Sequence, residues 1–160
     1  MRSRFSVLSI GMVVWLFDYA SKQWALATLA DGHSVHLVGD VLWLQLTWNP
    51  GAAFSLGTGS TWVFTVLASL VIIGILVGSA RVTTGIWLVG LGGLLGGAAG
   101  NLTDRLSRPP SVGLGHVVDF IATPHFPVFN LADSAIVASV ALMFIASIFG
   151  FPTSGRRQHG

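Results

Sequence analysis

GAAGNLTDRLSRPPSVGLGHVVDFIATPHFPVFNLAD, residues 97–133, is the stretch whose reading decides the fold. It carries Asp104, Asp119 and Asp133, half of the chain's six acids, and it lies between two hydrophobic segments long enough to cross a bilayer. An ionisable group at membrane depth is costly, so it marks function more often than decoration. Asp119 and Asp133 are therefore the first candidates for a catalytic pair.

Working outward, residues 83–102 are uncharged, and Gly92, Gly93, Gly96, Gly97 and Gly100 repeat a small-xxx-small spacing that lets helices pack backbone to backbone. Residues 130–149 form the last apolar span, ended by Gly150 and Pro152 and followed by a basic tail. Residues 61–80 are twenty uncharged residues, which at about 1.5 Å rise each span a hydrocarbon core of about 30 Å. The first span, residues 5–29, contains Asp18 and Lys22, four apart on one helix face with the acid on the N-terminal side, the better order for a pair. Its basic start and Ala25-Leu26-Ala27 imitate a signal peptide, but Asp18 and Lys22 interrupt it, and a retained transmembrane helix is the better reading. Between the first two spans, residues 35–56 change character. Gly39-Asp40 separates two β-rich runs, the signature of an antiparallel hairpin, and Trp43 and Trp48 suit a membrane surface. The expected fold is thus a membrane all-α bundle of four transmembrane helices with a small extracytoplasmic β-hairpin or sheet, in one domain.

Composition agrees. Only 9% of the 160 residues are charged and 52% are hydrophobic, with a mean hydropathy of +0.76. The pI near 9.9 suggests nucleic acid, but the net charge is +2 and no basic face gathers it, so the cations read as topology signals and no nucleic-acid partner is expected. Arg2, Arg4, Arg81, Arg156 and Arg157 fall at the ends and the middle turn, which places both termini in the cytoplasm. The hairpin and residues 104–133 then share the outer face. Cys and Glu are absent, which removes thiolate chemistry and rests every carboxylate argument on aspartate.

Two carboxylates a few ångströms apart cannot both ionise cheaply, so they share a proton. One can take a proton from water while the other gives one to a substrate carbonyl. Asn130 is placed to cap the fourth helix with Asp133 three residues on, where the helix dipole favours charge. Asp119, beside aromatic and aliphatic residues, more readily keeps a proton. Asn101, Asp104 and Arg105 share a helix face at i, i+3 and i+4, and Asp104 can equally pair with Arg108. They read either as an interfacial salt-bridge set or as groups that orient the acids or meet a lipid head group. Asn49-Pro50-Gly51-Ala52-Ala53-Phe54 supplies a sharp turn whose small residues leave room for an extended peptide.

These blocks resemble signal peptidase II. The resemblance rests on Asp18-Tyr19-Ala20-Ser21-Lys22, Asn49-Pro50-Gly51-Ala52-Ala53-Phe54, Gly100-Asn101-Leu102-Thr103-Asp104-Arg105, Val117-Val118-Asp119-Phe120 and Phe129-Asn130-Leu131-Ala132-Asp133, five blocks in order over nearly the whole chain. It implies an aspartic endopeptidase of the bacterial plasma membrane that removes signal peptides from prolipoproteins, cutting before the diacylglyceryl-modified cysteine. It makes Asp119 and Asp133 the dyad, with Asn49, Gly51, Asn101, Asp104, Arg105, Asn130, Asp18 and Lys22 supporting. It further implies contact with membrane lipids, inhibition by the cyclic peptide globomycin, and no metal or cofactor. The connector at 121–128 looks shorter than in many members.

Three rival readings of the same residues remain open. A serine-lysine peptidase needs Lys22 beside Ser55 or Ser134, because adjacent Ser21 does not face it. A metallopeptidase needs His116, Asp119 and His125 to converge, without the His-Glu-x-x-His pattern. A four-helix transporter using aspartates as a proton relay needs its ionisable groups near the midplane.

Overall fold

Glycine spacing sets the third hydrophobic segment at the centre of the bundle. The computed structural model describes residues 2–51 and 61–155. Among them are four helices long and apolar enough to cross a membrane: α1 (Arg2–Thr28), α2 (Thr61–Gly78), α3 (Gly85–Ser107) and α4 (Leu131–Ile148). On α3, Gly92 and Gly96 meet α1; a Cβ at Gly96 would sit 2.5 Å from the Gly11 carbonyl oxygen. Gly93 and Gly97 meet α4, where a Cβ at Gly97 would sit 2.6 Å from the Ala132 carbonyl oxygen. Lipid tails give helices no hydrophobic reason to associate, so close backbone approach supplies the packing energy.

The charges at the end of α3 do not stop it. The helix runs to Ser107, past the end at 102 expected from hydropathy, because Asp104 and Arg105 are buried and partnered inside the protein. The turn between α2 and α3, a single 3-10 turn at Ser79–Arg81, lies at the same end of the bundle as the C-terminal segment. There Thr83 N donates to Thr153 O at 2.9 Å and Gly155 N to Thr83 Oγ1 at 2.8 Å.

At the opposite end lies an antiparallel sheet of β1 (Val35–Val38), β2 (Leu42–Asn49), β3 (Val117–Thr123) and β4 (Phe126–Phe129), in that spatial order. The first two strands flank Gly39-Asp40, where Gly39 takes φ 47°. The other two correct the sequence reading, which treated 121–128 as a connector. Val117–Thr123 is almost wholly buried on both faces, so it lacks the alternation by which a half-buried strand is recognised. Pro127 sits in β4, an edge strand, where a missing N–H is tolerated. Residues 52–56 of the expected β region lie outside the described residues, as do Ala52, Ala53, Phe54 and Ser55.

The sheet is seated on the end of α1. Ala25 and Leu29 pack with Val118 and Phe120 in one buried cluster, joined by Leu26, Val35, Leu44 and Leu46. Alternation along β3 then decides the site: with Val118 and Phe120 turned to α1, Asp119 must point to the other face.

Candidate active site

Asp119 is 1% exposed and both its oxygens accept from side-chain amides. Thr47 pairs with Asp119 and Asn49 with Val117, so Asn49 and Asp119 are diagonal neighbours on one face of the β2–β3 ladder. Asn49 Nδ2 donates to Asp119 Oδ2 at 2.8 Å, and Asn130 Nδ2 donates to Asp119 Oδ1 at 2.6 Å. Burial pushes the Asp119 carboxyl up to about 6, with the Asp133 charge adding to the rise and the two asparagine amides opposing it.

Asp133 enters from the first turn of α4. Asn130 caps that helix: its Oδ1 accepts from Asp133 N at 2.9 Å, while Asn130 N donates back to Asp133 Oδ2 at 3.3 Å, a closed capping box. Asn101 Nδ2, from α3, donates to Asp133 Oδ1 at 2.7 Å. One residue, Asn130, thereby touches both acids, and its Nδ2 also lies 3.1 Å from Asn101 Oδ1.

Behind this frame is a buried ion cluster. Lys22 Nζ lies 2.8 Å from Asp18 Oδ2 and 2.8 Å from Asp104 Oδ2, with all three side chains at most 2% exposed. Asp104 pairs with Lys22, which the sequence did not suggest, pairs through its other oxygen with Arg108, which it did, and accepts from Val118 N at 3.3 Å. That last bond ties the strand carrying Asp119 to α3. Asp18 Oδ1 accepts from Ala132 N at 2.9 Å, which satisfies another free amide at the head of α4. Gly100 leaves space for this crossing, since a Cβ there would strike Asp18 Oδ2.

Arg105, like Asn101 on α3, lines a cavity that also reaches Asp133. Its guanidinium turns to Gly115 O at 3.3 Å and lies over the Phe64 ring, 5.3 Å from the centroid, so α2 is drawn to the site by a cation on an aromatic face. Gly51 takes φ 97° and accommodates Phe64 closely, while its N–H donates to Asn49 Oδ1 at 2.7 Å. Sequence reasoning missed Gly115, whose Cβ would strike the Asp104, Arg105 and Arg108 carbonyl oxygens. A glycine between Leu114 and His116 carries no signal of that crowding by itself.

Two cavities meet at Asn49 and Asp133. One, of 320 Å³, runs between α2, α3 and α4 past Leu67, Val71 and Ile136; the other, of 550 Å³, lies between β4 and α4 beside Phe126 and Val128. Asp133 stands at the junction of these two apolar clefts, with Asp119 buried behind Asn49 and Asn130, and two acids held in one such frame can share one proton.

The rivals fare differently. Ser21 Oγ donates to Asp18 O at 2.8 Å and Ser134 Oγ to Asn130 O at 3.1 Å, each within its own helix turn, and Ser55 lies outside the described residues. His125 sits exposed in the β3–β4 turn at φ 60°. Among the described residues, no three histidine or aspartate side chains are arranged as metal ligands.

Known proteins resemble the chain over most of its length. The family model described as signal peptidase (SPase) II matches residues 10–149. A lipoprotein signal peptidase of Mycobacterium leprae is 46% identical over 154 residues, covering 95% of this chain and 77% of the relative. One from Rhodococcus jostii is 43% identical over 155 residues, covering 97% and 78%. A solved bacterial membrane enzyme, determined by the in meso method at 2.3 Å resolution, superposes with a TM-score of 0.76 at 28% identity over 96% of this chain and 93% of the other.

Proposed function

The chain belongs to the signal peptidase II family, a family of multi-pass membrane peptidases, and we propose that it is an aspartic endopeptidase acting on prolipoproteins. In this reading it cuts on the N-terminal side of the diacylglyceryl-modified cysteine. Asp119 and Asp133 are the catalytic pair. The observation that carries the proposal is that Asn130 hydrogen-bonds both carboxyls, which brings acids from β3 and α4 into one frame, with Asp133 at the meeting of two apolar clefts.

The roles follow from the surroundings. Asp133, in the first turn of α4, sits where a helix terminus favours negative charge, and it takes a proton from the attacking water. Asp119, raised to about 6 by burial, gives its proton to the scissile carbonyl oxygen. The water oxygen bonds to the carbonyl carbon to give a tetrahedral diol. Return of a proton to the amide nitrogen then breaks the C–N bond, releasing an acid and an amine. The two carboxylates exchange the single shared proton during the cycle and are titrated as a unit.

A lipid-modified precursor suits the site because it partitions into the bilayer, which delivers its cleavage region to the membrane surface where these span ends lie. The protein would lie in the bacterial plasma membrane with cytoplasmic termini and the site near the outer face, as the arginine distribution favours. Globomycin, a peptide, would occupy the same clefts. A proton-relay transporter is less well supported, since Asp104 and Asp133 lie in the last and first turns of their helices.

The test is cleavage of a purified diacylglyceryl-modified precursor in detergent, beside its unmodified counterpart, with mass spectrometry of the fragments. The expected result is one cut before the modified cysteine and strong preference for the lipidated form. Intact precursor, or a cut elsewhere, overturns the proposal.

A further inference from the structure

Three asparagine amides face the two acids, and each can do so usefully only with its NH2 end forward. Asn49 and Asn130 present Nδ2 to Asp119, and Asn101 presents Nδ2 to Asp133. An amide turned by 180° would set its oxygen against a carboxylate oxygen, which is tolerable only if the acid carries a proton. What decides the orientation is the group holding each amide oxygen from behind. For Asn49 that group is the Gly51 backbone N–H, and for Asn130 it is the Asp133 backbone N–H. For Asn101 it is the Lys22 ammonium, with Nζ to Oδ1 at 3.0 Å, assisted by Asn130 Nδ2 at 3.1 Å.

We propose that Lys22 is a positioning residue that locks the polarity of the Asn101 amide, so that Asn101 always donates to Asp133. An ammonium has three donors and no acceptor, so a reversed Asn101 would put NH2 against NH3+ on one side and oxygen against oxygen on the other. Asp18 and Asp104 hold the ammonium in place, each at 2.8 Å. The inference rests on the dyad reading above and adds a device to it: two locks are backbone groups, and the third is a side chain on the first helix. It also explains why a buried lysine with two carboxylates stands behind the site, where a hydrophobic filler would pack without desolvation cost.

The charged groups facing Asp133 and the lock are Asp18 and Lys22 from α1, Asp104, Arg105 and Arg108 around the end of α3, and Asp119 from β3. Removing Lys22 alone would strand carboxylates, so the test is charge-balanced. Asp18→Asn with Lys22→Gln keeps an amide that can donate to Asn101 but, having an oxygen as well, holds it less strictly than an ammonium, whereas Asp18→Asn with Lys22→Met keeps no donor. Both are compared for melting temperature, kcat, KM and the pH profile of kcat/KM on the lipidated precursor.

A neutral hydrogen bond, at about 0.5–1.5 kcal/mol, corresponds to a fall of roughly two- to tenfold in kcat for the methionine variant relative to the glutamine variant. The fall should appear in kcat with KM little changed, because a freed Asn101 no longer holds its amide nitrogen toward Asp133. In an Asn101→Leu background the methionine and glutamine variants should become equal. The inference fails if the two pairs have the same kcat while both remain folded, or if their difference persists without Asn101. If the unmodified protein cleaves no precursor at all, it is the peptidase reading that has failed, and the lock falls with it.

Discussion

Replacing Asn49 with alanine tests the electrostatics of the pair most sharply. Asn49 Nδ2 lies 2.8 Å from Asp119 Oδ2, and this bond favours the charged carboxyl against the burial that drives it up to about 6. A hydrogen bond to a charged group contributes about 1.5–3 kcal/mol, and 1.36 kcal/mol corresponds to one pKa unit, so its loss raises the Asp119 carboxyl by roughly one to two units. In the proposed mechanism Asp119 must hold a proton at the start of the cycle. Activity therefore falls as pH rises through its pKa, and the basic limb of kcat/KM, which reports the free enzyme, begins near 6 in the unmodified protein. In Asn49→Ala that limb should appear roughly one to two units higher, even though the maximum rate falls because Asp119 is less firmly placed. The assay is cleavage of lipidated precursor in detergent between about pH 4.5 and 9, with melting temperature followed in parallel. A basic limb that stays in place or moves downward in the folded variant refutes the assignment of the proton to Asp119.

Other outcomes follow from the same geometry. Gly51→Ala should strain a backbone at φ 97° and press on Phe64, lowering kcat/KM by about tenfold for a strain of order 1–3 kcal/mol and shifting the basic limb in the same direction as Asn49→Ala. Gly96→Ala should push α1 from α3 at the Gly11 carbonyl and cost about 1–3 kcal/mol, read as a melting temperature lower by several degrees, where an unchanged midpoint contradicts the packing described. Asp18→Ala removes a buried partner of Lys22 and the acceptor for Ala132 N; it should destabilise by about 3 kcal/mol or more, visible as a lower midpoint by intrinsic tryptophan fluorescence.

The legible parts of this chain were those whose signal is local. Four apolar runs gave four helices, Gly39-Asp40 gave the turn between β1 and β2, and Asn130 with Asp133 read as a cap because capping is a matter of three residues. What stayed hidden depends on partners distant in sequence. β3 is buried on both faces, so Val117 to Thr123 shows no alternation, and its pairing with β2 is visible only once both are folded against α1. The aromatic Phe-Pro-Val-Phe run after Pro124-His125 was the available hint of a second hairpin. The sharing of Asp104 between Lys22 and Arg108, and the link from Lys22 to Asn101, span up to 82 positions (104 minus 22) and leave no mark on any helix considered alone. The same physics explains the end of α3: hydropathy reads a buried, partnered Asp104 as the edge of the membrane.

The central claim is that one carboxyl on β3 and one at the head of α4 carry out the hydrolysis together. It is tested most directly by single-turnover cleavage of a purified lipidated precursor by Asp119→Asn and Asp133→Asn, each shown by melting to be folded. The account predicts that each substitution alone abolishes cleavage, and that the double variant is no worse than either. Substantial turnover in either folded single variant would contradict it.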